Sequence, residues 1–263
     1  MASGGKSRGF GIAAGLGPDV ARAVAERCAE LGYASLWSND HPGALGLETL
    51  AAFAEAPPAL ELGVAVMALD RHEPAAIAEH FRRLGLDRER LWLGVGAGFS
   101  KRALSTMRDA LPALREALPG VRIVLAAMGP KMCALAGAQY DGAFFNWMTP
   151  GFATRAREHV EEGARQAGRQ PPPVFGYVRT AVGADAAERV AKEESFYRDL
   201  HAGYRNHFDR LDEPDGTVGV AAANRDEAQR ELAAYDALDV LVVRGLASAT
   251  TEAMTGLAEA AAP

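Results

Sequence analysis

The stretch 71–102, "RHEPAAIAEHFRRLGLDRERLWLGVGAGFSKR", contains one complete helix-to-strand unit. Its first part, "EPAAIAEHFRRL", repeats apolar residues at roughly i, i+3, i+4 and i+7, the spacing of an amphipathic helix. Gly85 then stops the helix, and an apolar run over Arg90–Gly94 reads as a buried strand. Gly94, Gly96 and Gly98 fall within five positions, and Lys101 and Arg102 stand just beyond them. Three glycines between a strand and a helix imply backbone that lies close against something else. A ligand is the first expectation.

The same grammar recurs along the chain. "AELGYASLWSND" (29–40), "LAGAQYDGAFFNWM" (135–148) and "LAAYDALDVLVVRG" (232–245) each end a helix, turn on Gly or Asp and enter an apolar strand. Strands are expected near Phe10–Ala13, Ala34–Trp37, Leu62–Leu69, Arg90–Gly94, Arg122–Ala127, Ala143–Trp147, Val174–Thr180 and Asp239–Val243. Strands alternating with helices imply a parallel sheet, and eight is the number that closes a (β/α)8 TIM barrel. An open doubly wound sheet is the rival, but it concentrates its glycines in one first turn. Here they are spread over strands 1, 4 and 5, which favours the barrel. Residues 1–8 are expected to be a flexible lead-in and 9–263 a single domain. The long gap before the last strand implies a helical insertion around 184–216. It is either a lid or oligomer contact at the mouth, or a helix pair on the barrel side.

Formal charge is −6, and 49% of residues are apolar. An acidic chain without a basic tail is expected to bind neither nucleic acid nor an anionic membrane. "MASGGKSRGF" lacks a signal peptide's apolar core, and no run of 18 apolar residues occurs, so a cytoplasmic protein is expected. Cys28 and Cys133 both fall in Ala-rich helical context and are expected to be reduced, buried and inert.

In a barrel, chemistry is sought where strands end. Strand 2 delivers Asn39, Asp40 and His41 together. Asp40, His41, Arg71, Lys101, Lys131, Asn146, Arg179 and Arg244 all follow apolar runs. Basic residues gathered at one mouth of an acidic protein point to an anionic ligand; ordinary helix-start charges are the bland alternative. "MGPKM" (Met128 to Met132) adds a helix start at Pro130 after Gly129, where free amides favour a phosphate. "GVGAG" is not the dinucleotide pattern, because Phe99 stands where its third glycine belongs. His41 could bond a flavin-type ring or move a proton; a loop-bonded structural histidine is the alternative. No zinc motif and no serine-hydrolase elbow is present.

With "AERCAELGYASLWSNDH", "RHEPAAIAEHFRRLGLDRERLWLGVGAG" and "LAGAQYDGAFFNWMTP" in order, nearly the whole chain resembles the bacterial luciferase-like monooxygenase superfamily. That resemblance implies a (β/α)8 barrel with a flavin or deazaflavin (coenzyme F-420) across the C-terminal mouth. It implies Asp40 and His41 near the reacting ring and Asn39 beside them. A non-prolyl cis peptide is implied at Ala65-Val66, forming a bulge behind the ring. Gly94, Gly96, Gly98, Met128, Gly129 and Lys131 would hold the cofactor's tail, and Asn146 and Trp147 would line the pocket. Arg179 and Arg244 would meet an anionic group of cofactor or substrate. The superfamily's sugar-phosphate dehydrogenases carry an acid after the strand-4 glycines; here Phe99 replaces it, which speaks against that activity. The family's long insertions are absent, so no specific substrate carries over. The implied function is hydride transfer between a deazaflavin or flavin cofactor, the deazaflavin favoured, and a small organic substrate. Alternatives are an FMN monooxygenase with a separate reductase partner, or a non-catalytic flavin-binding protein. A phosphate-binding isomerase or aldolase ranks last. A homodimer is a further expectation.

Overall fold

Eight parallel strands close into a barrel: β1 (Ser7–Ile12), β2 (Ser35–Ser38), β3 (Glu61–Ala68), β4 (Leu91–Gly96), β5 (Arg122–Ala126), β6 (Gly142–Asn146), β7 (Val174–Val182) and, after β8 (Val220–Ala222), β9 (Val240–Gly245). The structure is a computed structural model and describes residues 6–55, 60–211 and 213–263. Each barrel strand pairs with its sequence neighbour, and the ring closes through β6–β7, β7–β9 and β9–β1. The TIM barrel expected from the sequence is therefore present.

Four boundaries differ from the sequence reading. β8 was missed, since three residues are too short to show an alternating pattern. It pairs with Thr180–Val182 of β7, on the edge that β6 leaves free above Tyr177. Ser7 and Arg8 pair with Val240 and Leu241, so the lead-in expected over 1–8 ends before Ser7; residues 1–5 lie outside the described residues. The glycine turn expected after Gly94 is still strand, because β4 continues to Gly96. Trp147, expected as the end of strand 6, has left it with φ 51°.

The helices are α1 (Pro18–Glu30), α2 (Gly46–Phe53), α3 (Pro74–Arg83), α4 (Ala103–Ala117), α5 (Pro130–Gln139), α6 (Pro150–Gln166), α7 (Ala186–Leu200), α8 (Ala202–Leu211), α9 (Arg225–Ala233) and α10 (Thr251–Ala260). Helices α1, α3, α5 and α6 begin on proline, where a missing N–H costs nothing and φ is preset. Helices α1, α3 and α6 end on Gly32, Gly85 and Gly168 at φ 81°, 62° and 67°. In each, the glycine amide and the next one bond back into the last turn. This shared stop explains why two of the quoted stretches look alike.

Alternation along the strands sorts the core into two shells. Val174 and Val178 of β7 face the helices; Phe175 and Tyr177 face the barrel axis with Trp37, Trp92, Phe144 and Val242. Trp37 fills the centre because Gly63 has no side chain: a Cβ there would lie 2.2 Å from the indole. At the N-terminal end, Glu61 accepts from Arg122 Nη1 (2.6 Å) and Trp92 Nε1 (2.8 Å), and the Arg122 guanidinium stacks 4.1 Å over Trp92. That end of the barrel is plugged and satisfied. Cys28 and Cys133 are buried and unpaired among the described residues; burial pushes both thiols up, that of Cys133 to about 12.

Candidate active site at the C-terminal mouth

The residues after β2 divide by direction. Asn39 continues the inward parity of Trp37, and its Oδ1 accepts from Ala14 N (2.9 Å), tying the first two loops together. Asp40 turns towards α2 and the loop after β3. Its Oδ1 accepts from Gly46 N (3.0 Å), and its Oδ2 meets Arg71 Nη2 (2.7 Å) and His72 Nε2 (2.8 Å). The Asp40 side chain is only 1% exposed. Both oxygens are engaged, so this carboxylate ties the loops after β2 and β3 together. His41 is exposed; its Nδ1 accepts from Gly43 N (3.1 Å) and its Nε2 faces the Ala14 carbonyl (3.3 Å). The two residues expected to act together therefore have separate surroundings.

The glycines that opened the reading have partners within the chain. The Ala65-Val66 peptide is cis, and the β3–β4 register shifts between Val64 and Met67. A Cβ on Gly94 would stand 2.5 Å from the Val64 carbonyl oxygen, and one on Gly96 3.1 Å from Val66 Cγ2. Gly98 adopts φ +58°, and a Cβ there would overlap the Asp70 carboxylate at 1.9 Å. Asp70, which the sequence reading passed over, accepts from Phe99 N (2.8 Å) and holds the turn. Backbone does approach closely at these glycines, and what it approaches is the neighbouring strand and its loop. Beyond them, Ser100, Lys101, Arg102 and Thr106 line a surface cleft of ≈ 350 Å³ at the start of α4. Met128 and Gly129 are half-buried after β5, and Lys131 is exposed in the first turn of α5.

Parity carries β7 and β9 to the centre of the mouth. Arg179 follows Phe175 and Tyr177 inward, and Arg244 follows Val240 and Val242. The two arginines are direct register partners and are 3% and 6% exposed. Arg179 Nη1 donates to Asn146 Oδ1, and Arg244 Nη1 to the Gly245 carbonyl (3.1 Å). Among the described residues, no carboxylate lies within 4 Å of either guanidinium. Burial, and then the charge of Arg179, pull the Arg244 guanidinium below its ordinary range. Arg179 stacks 4.3 Å over Trp147, with Tyr197 at 5.0 Å and Tyr177 at 5.7 Å. Tyr177 Oη, Arg179 Nε and Trp147 Nε1 are buried without a hydrogen-bond partner. Burial pushes the Tyr177 phenol up, so it stays a neutral donor. All three orphans are donors, and leaving each unmet costs about 1–3 kcal/mol.

The hairpin α7–α8, inside the expected 184–216 insertion, lies over this centre. Tyr197 and Phe208 meet Trp147 edge-on at 5.1 and 5.2 Å, and Tyr204 meets Tyr197 at 4.9 Å. Buried Glu194 accepts from Arg198 Nε (2.8 Å) and Val218 N (3.0 Å); Arg198 also reaches Asp215 (2.9 Å) and Asp209 (3.5 Å). His207 Nε2–H donates to the Trp147 carbonyl, which leaves Nδ1 buried against Phe152 without a partner. Burial lowers the His207 imidazole below its ordinary value. The cap residues Tyr197, Tyr204, His207 and Phe208 were not singled out from the sequence. The signal was there as aromatics in a charged insertion, but its face became readable only in the fold. No group of three or more metal-type ligands occurs, and no helix is long and apolar enough to cross a membrane, among the described residues.

The sequence profile of the luciferase-like monooxygenase family matches residues 5–119 and 106–259. No curated protein sequence matches the chain. An F420-dependent secondary alcohol dehydrogenase, in complex with an F420-acetone adduct, is similar in structure at TM-score 0.73 and 17% identity, over 97% of this chain and 99% of that one. A coenzyme F420 dependent tetrahydromethanopterin reductase from Methanopyrus kandleri follows at TM-score 0.70 and 17% identity, over 95% and 97%. The oxygenating constituent of 3,6-diketocamphane monooxygenase from Pseudomonas putida, in complex with FMN, is similar at TM-score 0.64 and 14% identity, over 98% of both. At these identities the likeness establishes the fold alone.

Proposed function

From the premise that this chain belongs to the luciferase-like monooxygenase family, we propose that it is an oxidoreductase working with a flavin-type cofactor, the deazaflavin ahead of FMN. The observation that carries the reading is the set of buried donors without acceptors around Arg179, beside a second buried arginine that also lacks a carboxylate. Such a set fits an acceptor-rich anionic group. The neighbours described with F420 and with FMN support a flavin-type group in this barrel without choosing between the two. The greater negative charge of a deazaflavin tail favours it at a mouth where Lys101 and Lys131 stand at helix starts and Arg179 lacks a carboxylate. When bound, that cofactor supplies hydride donation and acceptance at its ring.

The chain's own residues then have the following roles. The Ala65-Val66 bulge, with Asn39, Met128, Asn146 and Trp147, would stand against the cofactor at the mouth. Lys101 and Lys131, at the starts of α4 and α5, meet a phosphate. Gly94, Gly96 and Gly98 act through the bulge and the Asp70 turn that they accommodate. Arg179 and Arg244 hold an anionic group, and the α7–α8 hairpin keeps water from it. His41 Nε2 is the proton-handling atom at the rim, and Asp40 orders the loops after β2 and β3 through Gly46, Arg71 and His72.

A fluorescence-quench titration with FMN and the deazaflavin, side by side, tests the reading. Deazaflavin binding alone supports hydride transfer. Preference for FMN would replace it with a monooxygenase that needs a reductase partner. Binding of neither at micromolar concentration would overturn it, and binding without turnover would leave a carrier protein. His41→Ala should lower turnover on the order of a hundredfold or more with cofactor affinity unchanged; equal loss in both removes its role.

A further inference from the structure

We propose that the cleft between α7 and the β9–α10 connection binds an organic oxyanion with an apolar tail. The proposal rests on the oxidoreductase reading only in taking this ligand to be the substrate. The cleft measures ≈ 470 Å³, within the range of about 300–1,000 Å³ usual for small-molecule pockets. Its walls are apolar: Leu16 beyond β1, Phe196 on α7, and Leu246 and Met254 beyond β9. Arg244 forms part of its lining; it is 6% exposed and donates only to the Gly245 carbonyl. The rim holds Arg189, Lys192 and Glu193. Both terminal nitrogens of Arg189 are engaged, on the carbonyls of Leu246 (2.7 Å) and Val182 (2.8 Å) and on Asp185 (2.5 Å), while its buried Nε has no partner and is a second donor beside Arg244. Glu193 lies more than 4 Å from the Arg244 guanidinium, so that cation still lacks a close counter-charge.

An apolar wall and a buried, unpaired guanidinium in one cleft ask for two properties in one ligand. A plain inorganic anion would leave Phe196, which is 59% exposed, in water. A neutral alkyl compound would leave Arg244 unmet. The cleft also stands apart from the Lys101 cleft beyond β4. In the closed ring, β9 and β4 are four strands apart and therefore opposite, so a cofactor tail and this ligand can share the mouth.

Calorimetric titration of the cofactor-free protein with butyrate, hexanoate, octanoate, octanol and inorganic phosphate tests this. Octanoate should bind most tightly, each methylene from butyrate upward adding roughly fourfold until the cleft is filled. Octanol should bind weaker by on the order of tenfold or more. Arg244→Met should abolish the preference for octanoate over octanol. Phe196→Ser, at an exposed position that the fold does not need, should weaken octanoate severalfold and flatten the chain-length series. Octanol equal to octanoate, or phosphate as tight as octanoate, would overturn the proposal. So would one-for-one displacement of octanoate by FMN or the deazaflavin, since the cleft would then belong to the cofactor. Octanoate binding in a protein that takes up neither cofactor would keep the site and sink the oxidoreductase reading.

Discussion

Each end of this barrel carries an arginine stacked on a tryptophan, and the two ends treat their charges differently. At the N-terminal end Arg122 lies 4.1 Å over Trp92, and Glu61 accepts from both. At the C-terminal end Arg179 lies 4.3 Å over Trp147, the indole N–H has no acceptor, and a second arginine stands in register beside it. The motif is the same; the carboxylate is missing from one of them. A fold built for stability alone would complete both, because an unmet buried donor costs more than a made bond gains. In the proposed function, the incomplete end is where the ligand supplies the acceptor. Polar residues alone do not mark the site, since Asp40 at the same mouth is fully satisfied.

The sharpest way to break the comparison is to complete the upper end. Asn146 already accepts from Arg179, so Asn146→Asp supplies the missing carboxylate. Cofactor affinity in quench titrations should fall roughly tenfold to a hundredfold, and the melting temperature should rise. Unchanged affinity would show that these donors do not serve the cofactor. Asp40→Ala asks whether the other cluster is structural. Denaturant unfolding should show a loss of roughly 2 kcal/mol, because Gly46 N and His72 lose their acceptor while Arg71 keeps some access to water. A stable variant with lost turnover would return Asp40 to a chemical role. At the lower end, Glu61→Gln should cost only about 1 kcal/mol, as both ion-pair partners are partly exposed, and should leave cofactor affinity unchanged.

The smallest effect is expected from pH. The folded His207 imidazole is lowered, by burial first, from an ordinary value of 6.5. The unfolded chain therefore takes up its proton at a higher pH than the folded one. Its contribution to stability is full above about pH 6.5 and declines as pH falls towards the folded value. Arg210 opposes protonation further, while the carbonyls of Trp147, Asn146 and Met128 favour it. Protection factors of the α8 amides, taken against the intrinsic exchange rate at each pH, should fall below pH 6.5 in the wild type and less so in His207→Gln. The same fall in that variant would assign the effect elsewhere.

Local chemistry made most of the fold legible. Proline at helix starts, glycine at φ above 60° after α1, α3 and α6, and apolar strand runs each depend on a few adjacent residues, so eight barrel strands could be read directly. β8 could not, since three residues carry no period. The site was legible only by position. Strand ends located Asn39, Asn146, Arg179 and Arg244 at the mouth, and the sequence reading went no further than that. What each residue does there was hidden. Gly94 reads as a ligand contact until the fold shows that a Cβ there would stand 2.5 Å from the Val64 carbonyl of β3, and Asp40 reads as a free carboxylate until Arg71 and His72 arrive from the next loop.

By itself, then, the sequence determined the repeating βα unit, the closed parallel ring and the set of polar residues at one rim. Tertiary structure alone decided which of those residues are satisfied. The reason is physical: helix caps and strand runs are set by neighbours within a few bonds. Whether a buried donor finds an acceptor depends on register and closure between strands tens of residues apart. Arg179 and Arg244 become partners only when β7 and β9 meet.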